Sequence, residues 1–483
     1  MNQNYIDVLI VGAGLSGIGA ACHLSRKNAN KSYRILEMRE ELGGTWSLFK
    51  YPGIRSDSDM YTFGYSFKTW DASKSFADAP SILSYLNEAV DEYKVRDKIS
   101  YNEKVTSVNF DTESALWTVN TEHQKTKETH QYTSRFLFSC SGYYNYKQGY
   151  TPKFDGIANF KGTVIHPQKW PENLDYTGKK VIVIGSGATA VTLLPAMADK
   201  TEHITMVQRS PTYIGALPNK DKVANGIKKI LPKKIAHKVV RLKNILFSIL
   251  FYNVSQRFPN FMRNFIIKGA KKQLNGFPVE PHFTPSYNPW DQRFCVAPDG
   301  DLFKVIRNKK ASIVTDHIDC FTENGLRLKS GKELEADIIV TATGLELVAF
   351  GDAKVSVNNT AFNPAEKLTY KGLMLNDLPN FIFFVGYTNA SWTLKSDLTS
   401  EYASRVISYM DKKGFNTIVP KVENENIETV PLINLNSGYI HRSTANLPKQ
   451  GSEFPWKLYQ NWIYDYFTLR VKSIKDDVLK FYE

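Results

Sequence analysis

Two short glycine-rich stretches in this sequence have the residue types and spacing to bind dinucleotides, and through them to move a hydride. The first is Gly12-Ala13-Gly14-Leu15-Ser16-Gly17, set after the apolar run Ile6–Val11 and before a helix-periodic segment. Gly12 permits a tight turn, Gly14 lets the backbone approach a pyrophosphate, and Gly17 lets the helix pack close on the strand. The helix N-terminus then offers free N–H groups to the phosphates. The next apolar run, "SYRILE", ends in Glu37, placed to accept hydrogen bonds from a ribose 2′-hydroxyl. The second stretch, Gly185-Ser186-Gly187-Ala188-Thr189-Ala190, follows the strand-like Val181–Ile184 and carries the permitted Ala at the third small position. Its second strand, "HITMVQRSP", ends in Gln208, Arg209 and Ser210 in place of an acid. An Arg there binds a 2′-phosphate that an acid would repel. The first unit is therefore expected to hold an adenosine with a free ribose, and the second NADPH. Two such units imply electrons passing between two cofactors, with FAD the expected resident one. A structural glycine turn and a solvated Arg209 are the plainer alternatives.

The elements that must position these groups are strands ending in small residues. "RFLFSCSGYY" ends at Ser141-Gly142, and "ADIIVTATGLE" ends at Thr341-Ala342-Thr343-Gly344. Both read as crossings between domains. The expected architecture is α/β, with two Rossmann-like dinucleotide-binding domains, the second inserted in the first, and a helical insertion. Residues 1–141 and 345–483 form the FAD-binding domain, 142–180 an inter-domain linker, and 181–214 with 286–344 the NADPH-binding domain. Residues 215–285 form the basic helical insertion.

A chain of 483 residues exceeds one ordinary core, which agrees with this division. The N-terminus lacks the features of a secretory signal, and the longest apolar run, "ILFSILFY" from Ile245, is too short to span a bilayer. Cys22, Cys140, Cys295 and Cys320 form no CxxC pair and no metal-ligand spacing. They read as reduced thiols of a cytoplasmic protein and argue against disulfide reduction. The formal net charge is +13, much of it in residues 220–275, where Lys and Arg alternate with Ile, Leu, Val and Phe. That pattern fits either a solvated amphipathic face or peripheral contact with an anionic membrane. No recognition module accompanies the charge, so nucleic acid is not an expected partner.

Two longer patterns carry a resemblance. Phe160-x-Gly162-x-x-x-His166-x-x-x-Trp170-Pro171 resembles the fingerprint of type I Baeyer–Villiger monooxygenases. Gly43-Gly44-Thr45-Trp46-x-x-x-x-Tyr51-Pro52-Gly53-x-x-x-Asp57 resembles that family's segment beside the flavin. "HFTPSYNPWDQRFCVAPDGDLFKVI", "NASWTLKSDLTSEY" and "GYIHRSTANLPKQGSEFPW" are similar to the ethionamide-activating subgroup, and the likeness covers nearly the whole chain. The resemblance implies insertion of one oxygen atom from O2 into ketones, giving esters or lactones by way of a C4a-peroxyflavin. It also implies oxygenation of sulfides and thioamides, so the expected substrate is a small ketone or organosulfur compound. Arg293 is the implied stabiliser of the peroxide and of the oxyanion that follows, with Asp57 holding it in position. Gly44, Thr45, Trp46, Asp57 and Val105 join Ser16 and Glu37 as implied FAD contacts. Arg55, Ser56 and Trp392 join Arg209 and Ser210 on the NADP side. Many family members carry Lys directly before the Arg; here it is Gln292, which leaves the 2′-phosphate mainly to Arg209 and Ser210. Phe160, Gly162, His166 and Trp170 are expected in a hinge, with backbone freedom at Gly162, a linking hydrogen bond from His166 and packing by Trp170. Two rival readings are a flavin monooxygenase oxygenating only N or S, and a membrane-docked redox sensor that consumes NADPH.

Overall fold

The computed structural model describes residues 5–424, 426–433, 436 and 438–483; residues 1–4 of the first expected segment lie outside them. The first glycine unit is β1 (Tyr5–Val11), α1 (Leu15–Lys27) and β2 (Tyr33–Leu36). Val8, Leu9 and Ile10 of β1 are fully buried, which explains the unbroken apolar run: a parallel strand covered on both faces has no polar side. Each such side chain contributes roughly 1.5–3 kcal/mol when buried. β3 (Ile99–Ser100) extends this side of the sheet beyond β2. β4 (Glu103–Asp111), β5 (Leu116–His123) and β6 (Thr129–Ser139) form an antiparallel meander that returns β6 to lie parallel to β1. Residues Lys354–Val357 and Phe381–Phe383, far along the chain, add to this sheet in parallel with β4 and β6. The first sheet is thus completed by the C-terminal part of the chain.

β7 (Tyr144–Gly149) leaves the first sheet, and β8 (Thr163–Ile165) enters the second. The second unit is β9 (Lys180–Ile184), α2 (Ala188–Met197) and β10 (His203–Gln208). Three helices follow: α3 (Lys222–Ile230), α4 (Lys233–Arg257) and α5 (Pro259–Leu274). β11 (Ala311–Thr315) and β12 (Ile338–Thr341) complete an all-parallel sheet in the order β11-β10-β9-β12-β8. β13 (Leu345–Leu347) then pairs antiparallel with β7, so the outgoing and returning chains cross side by side. The molecule is α/β with two Rossmann-like units, the second inserted in the first. One difference lies in the expected linker: its residues 163–165 are a strand on the edge of the second sheet.

The three helices bridge the units. Arg241 of α4 is buried and donates to the carbonyls of Tyr61 (2.7 Å) and Gly64 (2.6 Å) and to Asp397 (3.1 Å). Asp397 lies on α6 (Trp392–Lys413) and also meets the fully buried His23 of α1 at 3.1 Å. Burial alone would raise that carboxyl; the neighbouring His23, Arg241 and the Ser66 N–H together hold it below its ordinary value. α5 packs instead on the second unit, burying Met262, Ile266, Ala270 and Leu274. Among the described residues no helix is long and apolar enough to cross a membrane.

Candidate functional site

One connected cavity of about 1120 Å³ runs between the two units and is lined by both glycine stretches. At the first unit, Gly12 has φ +100°, and a Cβ there would stand 2.7 Å from the Cys140 carbonyl. A Cβ on Gly17 would stand 1.9 Å from the Gly12 carbonyl. Gly12 is therefore required by the crossing of chains at Cys140–Ser141, and Gly17 by the close packing of α1 on the Gly12 turn. Gly14 and Gly187 cap α1 and α2, and neither cap supplies a side-chain acceptor to the first-turn N–H groups. Neither first turn contains an acid. These helix ends suit phosphate.

Glu37 is buried on the cavity wall. One carboxylate oxygen accepts the Ala13 N–H (2.7 Å) and the other the Arg39 N–H (3.0 Å). Burial pushes its carboxyl above the usual range, and those N–H groups pull it back only in part. Ser16, Gly44, Thr45, Trp46 and Val105 also line this end. Trp392 lines it too: its indole N–H donates to Ser16 Oγ (2.9 Å), and its ring stacks on Tyr143 at 5.1 Å. The structure thus places Trp392 against a residue of the first unit.

At the second unit, Gly185, Ser186, Gly187, Ala188 and Thr189 line the cavity, while Ala190 is buried in the core behind them. Ser186 Oγ donates to the Ser210 carbonyl (2.9 Å), which ties the turn to the end of β10. Arg209 and Ser210 line the same end, and exposed Arg209 has no acidic partner within 4 Å among the described residues. Arg55 is held by Asp301, yet its other terminal nitrogen is buried without a hydrogen-bond partner on the cavity wall. Such an orphaned donor fits an anionic group. Ser56, also on the wall, spends its hydroxyl on the Ser58 carbonyl (2.9 Å).

Between the two ends stands an ion pair. Arg293 donates from Nε to Asp57 Oδ2 (3.1 Å) and from Nη2 to Oδ1 (3.2 Å), a two-pronged contact that fixes the guanidinium plane. The partners are 236 residues apart in sequence. Arg293 also borders a second cavity of about 20 Å³, the size of a single water, with Tyr143, Trp392, Val385, Leu432, Thr388 and Gln460.

The fingerprint residues divide. His166 lies on the wall of the large cavity. The Gln168 N–H donates to its Nδ1 (3.2 Å), which places the proton on Nε2 facing the Gly344 carbonyl (3.1 Å). Burial holds this imidazole below its ordinary value, hence neutral. Phe160 is buried against Phe321, and Trp170 packs on the core of the second unit. Gly162 departs from expectation in its reason. A Cβ there would stand 2.3 Å from the Asp337 carbonyl and 2.5 Å from the Phe160 ring, and its φ is not in the left-handed region. Space, and not backbone freedom, requires glycine at this position.

Sequence reasoning misses the aromatic wall. Tyr143, Tyr144 and Tyr146 line the cavity, as does Arg442, whose guanidinium lies 3.4 Å over the Tyr150 ring. The run Gly142-Tyr143-Tyr144-Asn145-Tyr146, directly after the first crossing, is the signal that could reveal it. The cysteines remain unpaired, and burial pushes the Cys295 thiol up to about 12.

Residues 9–243 match the family model described as pyridine nucleotide-disulphide oxidoreductase. The chain is 50% identical over 479 residues to the FAD-containing monooxygenase EthA of Mycolicibacterium smegmatis, covering 99% of this chain and 97% of that protein. It is 48% identical to the probable FAD-binding monooxygenase AlmA of Acinetobacter baylyi, covering 99% and 96%. Among solved structures, an oxidized steroid monooxygenase bound to NADP superposes with a TM-score of 0.77 at 23% identity, covering 99% of this chain and 100% of that one.

Proposed function

The chain belongs to the family of FAD-containing monooxygenases, and on that premise we propose that it is an NADPH-dependent Baeyer–Villiger monooxygenase. It inserts one oxygen atom of O2 into ketones to give esters or lactones, and it also oxygenates sulfides and thioamides. One observation carries this reading: Arg293, fixed by Asp57, stands on the wall of the large cavity that both glycine stretches line. A ketone entering that cavity beside Arg293 would meet a permanently charged guanidinium.

The first glycine unit, with Glu37, Thr45, Trp46 and Val105, would hold FAD; the second, with Arg209, Ser210 and Arg55, would hold NADPH. Reduced flavin, when bound, supplies the activation of O2 and the transfer of one of its atoms. The chain's own residues do the rest. Arg293 stabilises negative charge as it develops on the substrate carbonyl oxygen, without reorienting, because Asp57 already holds it. Trp392 and Tyr143, stacked on each other in the cavity wall, would help to exclude water from the site. Arg209 selects the 2′-phosphate. The unpaired cysteines fit a reducing, cytoplasmic setting.

The test is product analysis with ¹⁸O₂, NADPH, an aliphatic methyl ketone and an aryl sulfide. Singly labelled ester from the ketone and labelled sulfoxide from the sulfide are expected. Sulfoxide without ester would leave the N- or S-oxygenating reading. Hydrogen peroxide alone would leave neither.

A further inference from the structure

Residues 222–275 contain 13 Lys and Arg and no Asp or Glu, so this one segment equals the formal net charge of the whole chain, +13. The remaining residues are balanced. The segment is α3, α4 and α5, and its outer face is apolar as well as basic. Ile235, Val239, Leu242, Leu246 and Leu250 recur at intervals of four, three, four and four, one stripe of α4, and all are exposed. The opposite stripe, with Ala236, Val240 and Ile245, is buried against the body of the protein. Phe258, Phe261 and Phe265 add three rings on and just before α5, each 57–63% exposed. Around them Lys229, Lys234, Lys238, Lys268, Lys271 and Lys272 are exposed, with no acidic partner within 4 Å among the described residues.

We propose that the outer face of α3, α4 and α5 is a docking surface for an anionic phospholipid bilayer. The apolar stripe would enter the headgroup boundary while the lysines meet lipid phosphates. Charge and apolar surface together select this occupant. A nucleic acid would satisfy the lysines but leave five aliphatic side chains and three phenyl rings in water. A second copy meeting through the same face would bring two all-positive surfaces together.

The face also adjoins the chemistry. Phe247 stacks on Phe251 at 6.2 Å, and Phe251 meets Trp290 at 6.4 Å and Phe294 at 5.5 Å. Phe294 directly follows Arg293. A packed chain of rings therefore joins the docking face to the loop that carries Arg293. On the reading of the function given above, apolar substrates dissolved in the bilayer are the ones this orientation favours.

The test needs no turnover. The FAD-loaded full chain is sedimented with vesicles of phosphatidylcholine alone and of phosphatidylcholine mixed with phosphatidylglycerol. Binding to the mixed vesicles, weakened by added salt, is expected. Lys229→Glu/Lys234→Glu/Lys238→Glu and, separately, Phe261→Ser/Phe265→Ser should each lower the partition coefficient at least about tenfold. Leu250→Ser replaces the phenylalanine pair if that variant fails to fold. Oxidation of NADPH with a water-soluble ketone should stay at the wild-type rate in all of them. Failure to bind either vesicle, equal binding to both, or unchanged binding by the variants would overturn the proposal. So would displacement from vesicles by double-stranded DNA, or a dimer in solution that the same substitutions dissociate.

Discussion

The two glycine units share one backbone plan and differ in what covers it. A Cβ on Gly14 would meet the Cα of Gly44 at 3.5 Å, because the Gly43–Trp46 turn closes over the first unit. A Cβ on Gly187, the corresponding position of the second unit, would meet nothing within 4 Å. The acid of the first unit, Glu37, is buried and held by backbone N–H groups; the base of the second, Arg209, is exposed and without an acidic partner among the described residues. The same strand, turn and helix thus make a closed socket and an open one. A closed socket suits a resident cofactor, and an open one suits a cofactor that comes and goes.

The sharpest way to break this contrast is Gly12→Ala. With φ at +100° and the Cys140 carbonyl 2.7 Å from the new Cβ, the variant should lose bound flavin and most soluble yield. A flavin-loaded variant with wild-type absorbance would refute the crowding argument. Arg293→Ala comes next. Ester formation should fall about 10²–10³-fold, as on removal of one oxyanion donor, while flavin stays bound and NADPH consumption diverts to hydrogen peroxide. Peroxide and ester yields measured together check it.

Arg209→Ala probes the open socket alone. The preference for NADPH over NADH, as a ratio of kcat/KM, should drop about 10–100-fold with flavin content unchanged, the size of a lost charged hydrogen bond or two. Unchanged selectivity would remove Arg209 from the site. Gly187→Ala should fold and keep its flavin, in contrast to Gly12→Ala, and raise the KM for NADPH about tenfold by crowding the pyrophosphate. A loss of flavin equal to that of Gly12→Ala would erase the difference between the sockets.

The smallest effect concerns His166, at the join between the units. Its value in the folded protein lies below the ordinary 6.5, chiefly through burial. The neutral form is the one the fold favours, so its contribution is present above about pH 6.5 and is lost as pH falls through the lowered value. Thermal melts between neutral and mildly acidic pH should show a falling Tm of a few degrees. His166→Gln should flatten that fall, and His166→Ala should lower turnover and coupling a few-fold with flavin still bound. Equal slopes in wild type and His166→Gln would remove the histidine as the cause.

The two glycine turns are legible in the sequence because backbone geometry is written locally in glycine spacing. Glu37 and Arg209 are legible for the same reason, each standing at the end of a strand next to its own turn. The middle of the site is different. Nothing near Asp57 in the chain points to Arg293, and only the family resemblance joins them. Trp392 and Ser16 lie 376 residues apart, and their hydrogen bond exists because the C-terminal segment completes the first sheet and brings α6 onto α1. The tyrosine wall escapes notice because an aromatic run after a strand reads equally well as core. Gly162 shows the same limit in one residue: glycine type is visible, but the Asp337 carbonyl that demands it is not.

The amino-acid sequence alone determined two glycine turns between strand and helix, the sign of charge at the end of each, the absence of a CxxC pair and the concentration of the net charge in one segment. These follow from residue type and short-range geometry. Tertiary structure decided which turn is covered and which is open, that Arg293 and Asp57 meet on the wall of the cavity that both turns line, and which side of α4 faces outward. Those depend on how two sheets and three helices pack, and packing is set by contacts between residues hundreds of positions apart, where local spacing carries no information.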